Sequence, residues 1–538
     1  MSDPSDPADP FEAVRRFAEP APPRPLSALA SLARHPGRAL ALLWSWLTGR
    51  RLRARQGLAA LVGIDHRLAL PPATLAAFPE APEAFADPGI VLLTAPGHTL
   101  VAGAPEAIRA AFADPGLHAL YGDALAQSRP GGPVTPLLRP AFDPDFLAAV
   151  DYVGPVVALR RAALEPAEVD PRGSAADALF RIAERFGAAA IGHLPRILTL
   201  RQPDRTGPEE GRGHAAAVRE HLDRIGRSDA RIEPAGEGRL RIVHPLPDPR
   251  PAASLIVPTR DRLDLLRPCV ESLLATDWPD LDLVVIDNDS REPETRAYLD
   301  GLTAAGRARV LPWPGAFNFA AMNNEAARIA RGRILVFVNN DVVATDPGWL
   351  AAMARHALRP EIGAVGAKLI DGAGRIQHGG ILLGTGGGLV THAHRHFPGD
   401  APGYLARLTV PHRVSAVTAA CLMVEARTFA AVDGFDAESF AVDFNDVDLC
   451  LRLNAAGHHT LMVPEAALRH YEGLSRRRTP EAAARHAREI GALETRWGPL
   501  LAQDPHYHPG FDPDLSTHAR LRPGALAGAP GPARRPPY

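Results

Sequence analysis

The segment Arg333-Ile-Leu-Val-Phe-Val-Asn-Asn-Asp341 decides the fold. Its apolar run, Ile334 to Val338, is too short for a helix of ordinary length. It suits a strand buried on both faces of a parallel sheet. The run stops abruptly at Asn339, Asn340 and Asp341. In open α/β sheets, ligands bind beyond the carboxyl ends of the strands. Asp341 is therefore expected where chemistry happens. Its carboxylate is a hard oxygen ligand suited to Mg2+ or Mn2+ on a diphosphate. Taken alone, the segment also reads as a polar turn closing a strand, so the flanking sequence must decide.

Upstream the rhythm is strand, helix, strand. Ser254 to Val257 predicts a strand closed by Pro258-Thr-Arg-Asp261, and a helix follows over Leu263 to Leu274. Leu283 to Ile286 predicts a second strand ending in Asp287-Asn-Asp289. A helix from Pro293 to Ala305 has Pro near its first turn, where its missing N–H is harmless. Val310-Leu311 is a short strand, and a helix from Phe319 to Ala330 is stopped by Gly332. Polar clusters thus recur at one sheet edge, which is more specific than any one of them.

Downstream, a helix over Gly348 to Leu358 precedes a strand near Ala364 to Ile370. Gly384 to Asp400 is rich in Gly and His and is expected to be a mobile loop. Its Gly-Thr-Gly-Gly-Gly lacks the Lys-Ser/Thr of a phosphate-binding P-loop. His392, His394 and His396 alternate, a spacing that suggests zinc, yet no strand pattern fixes their geometry, and a solvated loop is expected. Val417 to Val424 reads as buried chain. In Phe444-Asn-Asp-Val-Asp-Leu-Cys-Leu-Arg452, Asp446 and Asp448 open a helix, where its dipole favours acidic groups. Asp446 as a simple helix cap is the plainer alternative. A short strand from Thr460 to Val463 precedes Pro464 and His470. The tail from about Asp504 is expected to be irregular.

With 538 residues there is room for two to four domains. Charge is balanced, 59 basic against 61 acidic residues, so nothing points to a nucleic-acid partner. Cys269, Cys421 and Cys450 lack metal-ligand spacing and read as buried residues of a reducing compartment. The acidic, Pro-rich start has no secretory character, and a cytoplasmic location is expected. Ala39 to Leu47 is too short to span a bilayer. With Arg50, Arg51, Arg53 and Arg55 behind it, it could rest on the inner face of an anionic membrane as a peripheral contact. A core-facing helix is the preferred reading. The expected divisions are a Pro-rich and helical segment at 1–60, an α/β domain at 61–235, a Pro-rich linker at 236–252, a second domain at 253–505 and a tail at 506–538.

Together these motifs resemble glycosyltransferase family 2, over about Ala253 to Arg478. The resemblance implies a GT-A nucleotide-diphospho-sugar transferase fold, a mostly parallel central sheet flanked by helices. It implies donor-binding roles for Pro258, Thr259, Asp287, Asn288, Asn324, Asn340 and Asp341. Asp287-Asn288 is similar to the pair whose Asp hydrogen-bonds uracil or thymine. Asn339-Asn-Asp341 stands at the Asp-x-Asp motif, and Asn445-Asp446 at the motif carrying the catalytic base. His470 resembles a late metal ligand. Gln377-His378-Gly379-Gly380, Ser415 to Cys421 and Phe444 to Asp448 are similar to the branch that builds bacterial surface polysaccharides, rhamnosyltransferases included. Asn339 and Asn445 replace acidic residues of the family pattern. That leaves Asp341 and His470 for Mg2+ or Mn2+, and Asp446 alone as base. Implied partners are a nucleotide-sugar donor and a glycan or lipid-linked glycan acceptor. The chemistry implied is inverting transfer of a hexosyl or deoxyhexosyl group. A nucleotidyltransferase would want a Gly-rich basic loop after Pro258, which is missing. A non-catalytic nucleotide-sugar-binding or scaffolding protein would be expected to have lost Asp341, Asp446 or His470.

The first half then reads as a degenerate, truncated copy of the same fold. Setting Ile90 on Ile334 aligns Gly89-Ile-Val-Leu-Leu-Thr-Ala-Pro-Gly97 with the deciding segment and puts Gly97 on Asp341. Asp177-Ala-Leu-Phe-Arg181 matches Asp448-Leu-Cys-Leu-Arg452, which puts Ala175 at the position of Asp446. Pro195 matches Pro464, which puts Arg201 opposite His470. The expectation is a domain without catalytic residues.

Overall fold

A computed structural model of the chain describes residues 36–47, 58, 68–127, 129–201, 212–471, 479–513, 518–522, 525–526 and 533–535. The first sheet comprises β1 (Ile90–Leu93), β2 (His98–Leu100), β3 (Ala119–Gln127), β4 (Val134–Leu137), β5 (Val157–Arg160) and β6 (Ile191–Arg201). Their order is β1-β5-β3-β6-β2, with β4 against β3. β3 and β6 run parallel, and the other pairings are antiparallel. A hairpin follows, β7 (Arg231–Pro234) with β8 (Leu240–Val243). The linker expected at 236–252 therefore begins inside a hairpin, and the connection proper is 244–252. The sequence hid this because β8 is only half-buried, and its apolar signal is weak.

The second sheet opens with β9 (Ala253–Thr259), β10 (Leu281–Asp287), β11 (Arg309–Pro312) and β12 (Ile334–Val338), paired in parallel. Next come β13 (Val342–Ala344), β14 (Ile362–Ile370) and β15 (Ile376–His378), then a separate hairpin of β16 (Ile381–Thr385) and β17 (Leu389–His392). β18 (His412–Arg413), β19 (Cys421–Glu425) and β20 (His459–His470) complete it. The order is β11-β10-β9-β12-β19-β14-β20-β13, with β15 on β14 and β18 on β20.

β12 is buried at every residue, as the unbroken apolar run requires. Alternate side chains leave opposite faces of a strand. Ile334, Val336 and Val338 enter one core with Leu266, Val270 and Met353, while Leu335 and Phe337 enter another with Met322, Val447 and Leu493. The sheet is thus covered by helices on both faces. From β12 onward, the path β12-β19-β14-β20-β13 with β15 repeats the first sheet strand for strand, in order and in direction. Both parallel pairs carry a register shift at the corresponding place, after Gly122 and after Ala367. β9, β10 and β11 have no counterpart among the described strands of the first sheet.

The stretch expected to be a mobile loop at 384–400 is built chain. It contains most of the β16–β17 hairpin, and His394 is fully buried. His394 stacks on His518 with ring centroids 4.6 Å apart and accepts from Tyr404 N–H. The solvated histidine loop is thereby corrected: the stacking partner lies in the tail, beyond the reach of local pattern. The tail is irregular, but Tyr507 and Phe511 are buried in the core of the first sheet beside Phe397, Tyr404 and Leu408. An ionic clamp adds to this apolar contact. Asp145 meets Arg359 at 2.6 Å and Arg413 at 2.8 Å, and Arg413 N–H donates to the fully buried Asp143.

The three cysteines are free and buried. The helix Pro36–Leu47 is present, but Leu40, Leu43, Trp46 and Leu47 are exposed rather than core-facing. Arg50 to Arg55 and residues 1–35 lie outside the described residues. No helix among the described residues is long and apolar enough to cross a membrane.

Candidate active site

The ladder between β13 and β20 sets Val342 opposite His470, and Tyr471 N–H donates to Asp341 C=O at 3.0 Å. Asp341 lies just before β13, and there its side chain meets that of His470, with His470 Nε2 3.1 Å from Asp341 Oδ1. Both residues are buried, and the approach lacks hydrogen-bond alignment. Asp341 Oδ1 and His470 Nδ1 are left without hydrogen-bond partners. Buried polar atoms rarely stay unsatisfied. A hard carboxylate oxygen with an imidazole at its side fits a divalent ion that takes its remaining ligands from phosphate and water.

Phe444 has a left-handed backbone, φ 61°, and turns the chain into the helix Asn445–Ala455. That places Asp446 in the first turn. Its Oδ1 accepts from Val447 N–H at 2.9 Å, so the capping alternative is met in part. Its Oδ2 accepts from Ala419 N–H at 3.0 Å, outside its own helix. The next residue, Ala420, accepts Asn339 N–H at 3.1 Å through its carbonyl. Two successive residues thus tie Asp446 to the strand end that leads into Asp341. Asp448 is committed elsewhere: fully buried, it accepts from Arg452, Arg496 and the indole N–H of Trp497.

Pro258 and Thr259 end β9, Asp287 ends β10 and Asn288 follows it. Asn288 N–H donates to Thr259 C=O, and Asn340 Nδ2 donates to Thr259 Oγ1, each at 2.9 Å. The Asn288 amide nitrogen donates to the carbonyls of Trp313 and Gly315, which leaves its buried Oδ1 without a partner. Asp287 Oδ1 accepts Ser290 N–H at 3.0 Å. Asn324 departs from the expected donor contact. Its Nδ2 donates to Phe435 C=O at 2.7 Å and its Oδ1 accepts Phe435 N–H at 2.9 Å. It braces a loop.

Sequence reasoning missed Glu489. Its buried carboxylate accepts from Val442 N–H at 3.2 Å and Asp443 N–H at 2.6 Å, and so fixes the loop before Asp446. It sits in the middle of the helix Pro480–Leu501, and nothing local marks it out.

Away from the cleft, Asp123, His193 and His508 lie close enough together to hold a metal ion. Their hydrogen bonds favour another reading. His508 Nδ1 accepts from Gly510 N–H at 2.9 Å, so Nε2 carries the proton and donates to Asp123 at 2.8 Å. A protonated nitrogen is no ligand. His193 Nε2 lies 2.9 Å from the other carboxylate oxygen. Burial brings the His193 pKa down to about 4 and keeps the ring neutral. Burial opposes the charge on Asp123, but His508 and His193 outweigh it and hold that carboxyl below its usual range. The group staples the tail to the first sheet.

Residues 254–377 match the family model described as Glycosyl transferase family 2. The chain carries a glycosyltransferase family 2 domain. Its second sheet is a GT-A fold. The matched stretch ends before Asp446 and His470, whose placement rests on the geometry above. The chain is 35% identical over 390 residues to the uncharacterized protein y4gI of Sinorhizobium fredii, covering 69% of this chain and 43% of that one. It is 34% identical over 418 residues to the O-antigen biosynthesis protein RfbC of Myxococcus xanthus, covering 75% of this chain and 32% of that one. The chain thus spans less than half the length of either relative. Among solved structures, GalNAc-T7 with UDP, GalNAc and Mn2+ aligns at 16% identity and TM-score 0.37, over 46% of this chain and 48% of that one. A mannosyltransferase from Pyrobaculum calidifontis with GDP-Man and Mn2+ aligns at 15% identity and TM-score 0.34, over 48% of this chain and 74% of that one.

Proposed function

We propose that this glycosyltransferase moves a sugar, with inversion, from a UDP- or dTDP-sugar to a hydroxyl of a growing surface glycan. The observation that carries the reading is the double tie at Ala419 and Ala420, which joins the Asp446 carboxylate to the Asp341 strand end. Asp446 takes the proton of the acceptor hydroxyl. The acceptor oxygen then forms its bond to the anomeric carbon as the bond to the diphosphate oxygen breaks on the opposite side. A positioned base of this kind contributes about 10²–10⁴-fold. Asp341 and His470 would hold Mg2+ or Mn2+, which when bound neutralises charge on the departing diphosphate. Asp287 and the Asn288 Oδ1 offer acceptors for the imide N–H of uracil or thymine. The relative named for O-antigen biosynthesis supports a surface-glycan acceptor.

In this reading the first sheet is a degenerate, truncated copy of the acceptor-side half of the second, without catalytic residues, and it holds the β16–β17 region in place. The exposed Leu40, Leu43 and Trp46, followed in sequence by Arg50 to Arg55, support peripheral contact with the inner face of an anionic membrane. The decisive experiment screens nucleotide-sugars for metal-dependent turnover by the full chain and by Asp446→Asn. Full activity in excess chelator, or near-normal turnover by the variant, would overturn the reading.

A further inference from the structure

Gln377-His378-Gly379-Gly380 stands out in the sequence, and the chemistry above does not use it. His378 ends β15 and is fully buried. Its Nε2 accepts Thr418 N–H in a long hydrogen bond of 3.4 Å. Its Nδ1 lies 2.7 Å from Nδ1 of His392 on β17, with the rings nearly perpendicular at 84°. Because Nε2 accepts, Nδ1 carries the proton and donates to His392, which fixes the tautomer of both rings. Thr418 adjoins the two residues that matter most to the cleft. Ala419 N–H holds the Asp446 carboxylate, and Ala420 C=O holds Asn339. The segment also closes on itself, with Ala420 N–H donating to Thr418 Oγ1 and Cys421 N–H to Thr418 C=O. Displacing Thr418 therefore displaces both ties at once.

We propose that His378, seated against His392, is a positioning residue that fixes the Thr418–Ala420 segment and through it the orientation of the Asp446 carboxylate. The proposal rests on Asp446 being the base. Burial, with His392 and His470 adding to it, holds the His378 ring neutral. The ring is thus suited to accept at one nitrogen and donate at the other. The hydrogen bond from Ala419 N–H favours the ionised form of Asp446, so slack in this segment raises the pKa of the base.

The test compares two amides in the full chain. In Gln the side-chain oxygen reaches the place of Nε2. In Asn the amide sits at the level of Nδ1, meets His392 and leaves Thr418 N–H unmet. His378→Asn should lower kcat by about tenfold or more with the donor KM within about twofold, a loss confined to the chemical step. The acid limb of its pH–kcat/KM profile should move up by about half a unit or more. His378→Gln should keep kcat within about threefold of the parent, with the limb in place. Thermal melts establish that both variants are folded, and if Asn does not fold, His392→Ala is expected to give the limb shift in smaller degree. An unmoved limb with kcat within twofold in the Asn variant, or equal loss in Asn and Gln, overturns the proposal. Asp446→Asn is run alongside. If that variant stays active, the assignment of the base has failed; if it is dead while His378→Asn is normal, only the role of His378 has failed.

Discussion

In the first sheet His98 lies opposite Arg201; in the second Val342 lies opposite His470. The residue before each partner is Gly97 in one and Asp341 in the other. Ser174 caps the helix Ala175–Phe186 by accepting from Ala176 N–H, whereas the matching helix Asn445–Ala455 starts from the left-handed Phe444 and carries Asp446. The same i,i+4 ion pair persists on both helices, Asp177 with Arg181 at 2.8 Å and Asp448 with Arg452 at 2.7 Å. The frame is common to both sheets, and the acidic edge is found in one. The difference shows which residues hold the fold and which burden it. A buried polar atom without a hydrogen bond, as at Asp341 Oδ1, costs about 1–3 kcal/mol. Such a group persists where something besides folding uses it. Glycine at position 97 removes the cost and the chemistry together.

The largest effect that would sharpen this contrast is expected at the base. Asp446→Asn should lower transfer by about 10³-fold while donor affinity stays within a few fold. Transfer and donor titration on one preparation separate the two. Next, Asp341→Ala should cost about 10²-fold or more in turnover with loss of metal dependence. Gly97→Asp combined with Arg201→His in that background should recover nothing. Recovery would show that the first sheet still has a working cleft, and the contrast would collapse. Smaller in effect is the clamp between the halves. Asp145→Ala removes the carboxylate shared by Arg359 and Arg413, which keep Glu361 and Asp143 beside them, and should destabilise the chain by about 1.5–3 kcal/mol, read from denaturant midpoints.

The smallest effect is one of pH. Glu361 pairs with Arg227 of the first half at 2.6 Å. Burial alone would raise the Glu361 pKa, but Arg359 and Arg227 outweigh it and bring it from 4.5 to about 2. A carboxylate depressed on folding contributes stability above its unfolded pKa and loses it as pH falls through the folded one. Glu361→Gln should therefore be less stable than the parent near neutrality, with the gap closing between pH 4.5 and about 2. A gap that stays constant across that window would count against the pairing.

Much of the second sheet was legible in the sequence. The helix at Leu263–Leu274 and the strand at Ile334–Val338 fall where the pattern put them. Each carries its signal within a few residues, as an apolar face or an unbroken run. The illegible parts depend on distant partners. His394 looks solvated until His518 is stacked on it, and Asn324 looks free to meet a donor until the loop at Phe435 closes over it. Asp341 was singled out by its place at a strand end, and His470 and Asp446 by the family resemblance; the structure sets the first two side by side. Glu489 acts on backbone N–H groups, and a backbone group leaves no trace in a sequence.

The tail that closes over the first sheet bears on how the chain is made. His508 reaches Asp123 across 385 residues, and Tyr507 and Phe511 complete a core that began near Leu68. At ribosomal speeds of 5–20 residues per second, the stapling histidine emerges about 20–80 s after its partner. Of the two sheets, the one synthesised earlier is completed later. Until the tail emerges its apolar face waits for a lid, and that interval is when a chaperone has something to hold.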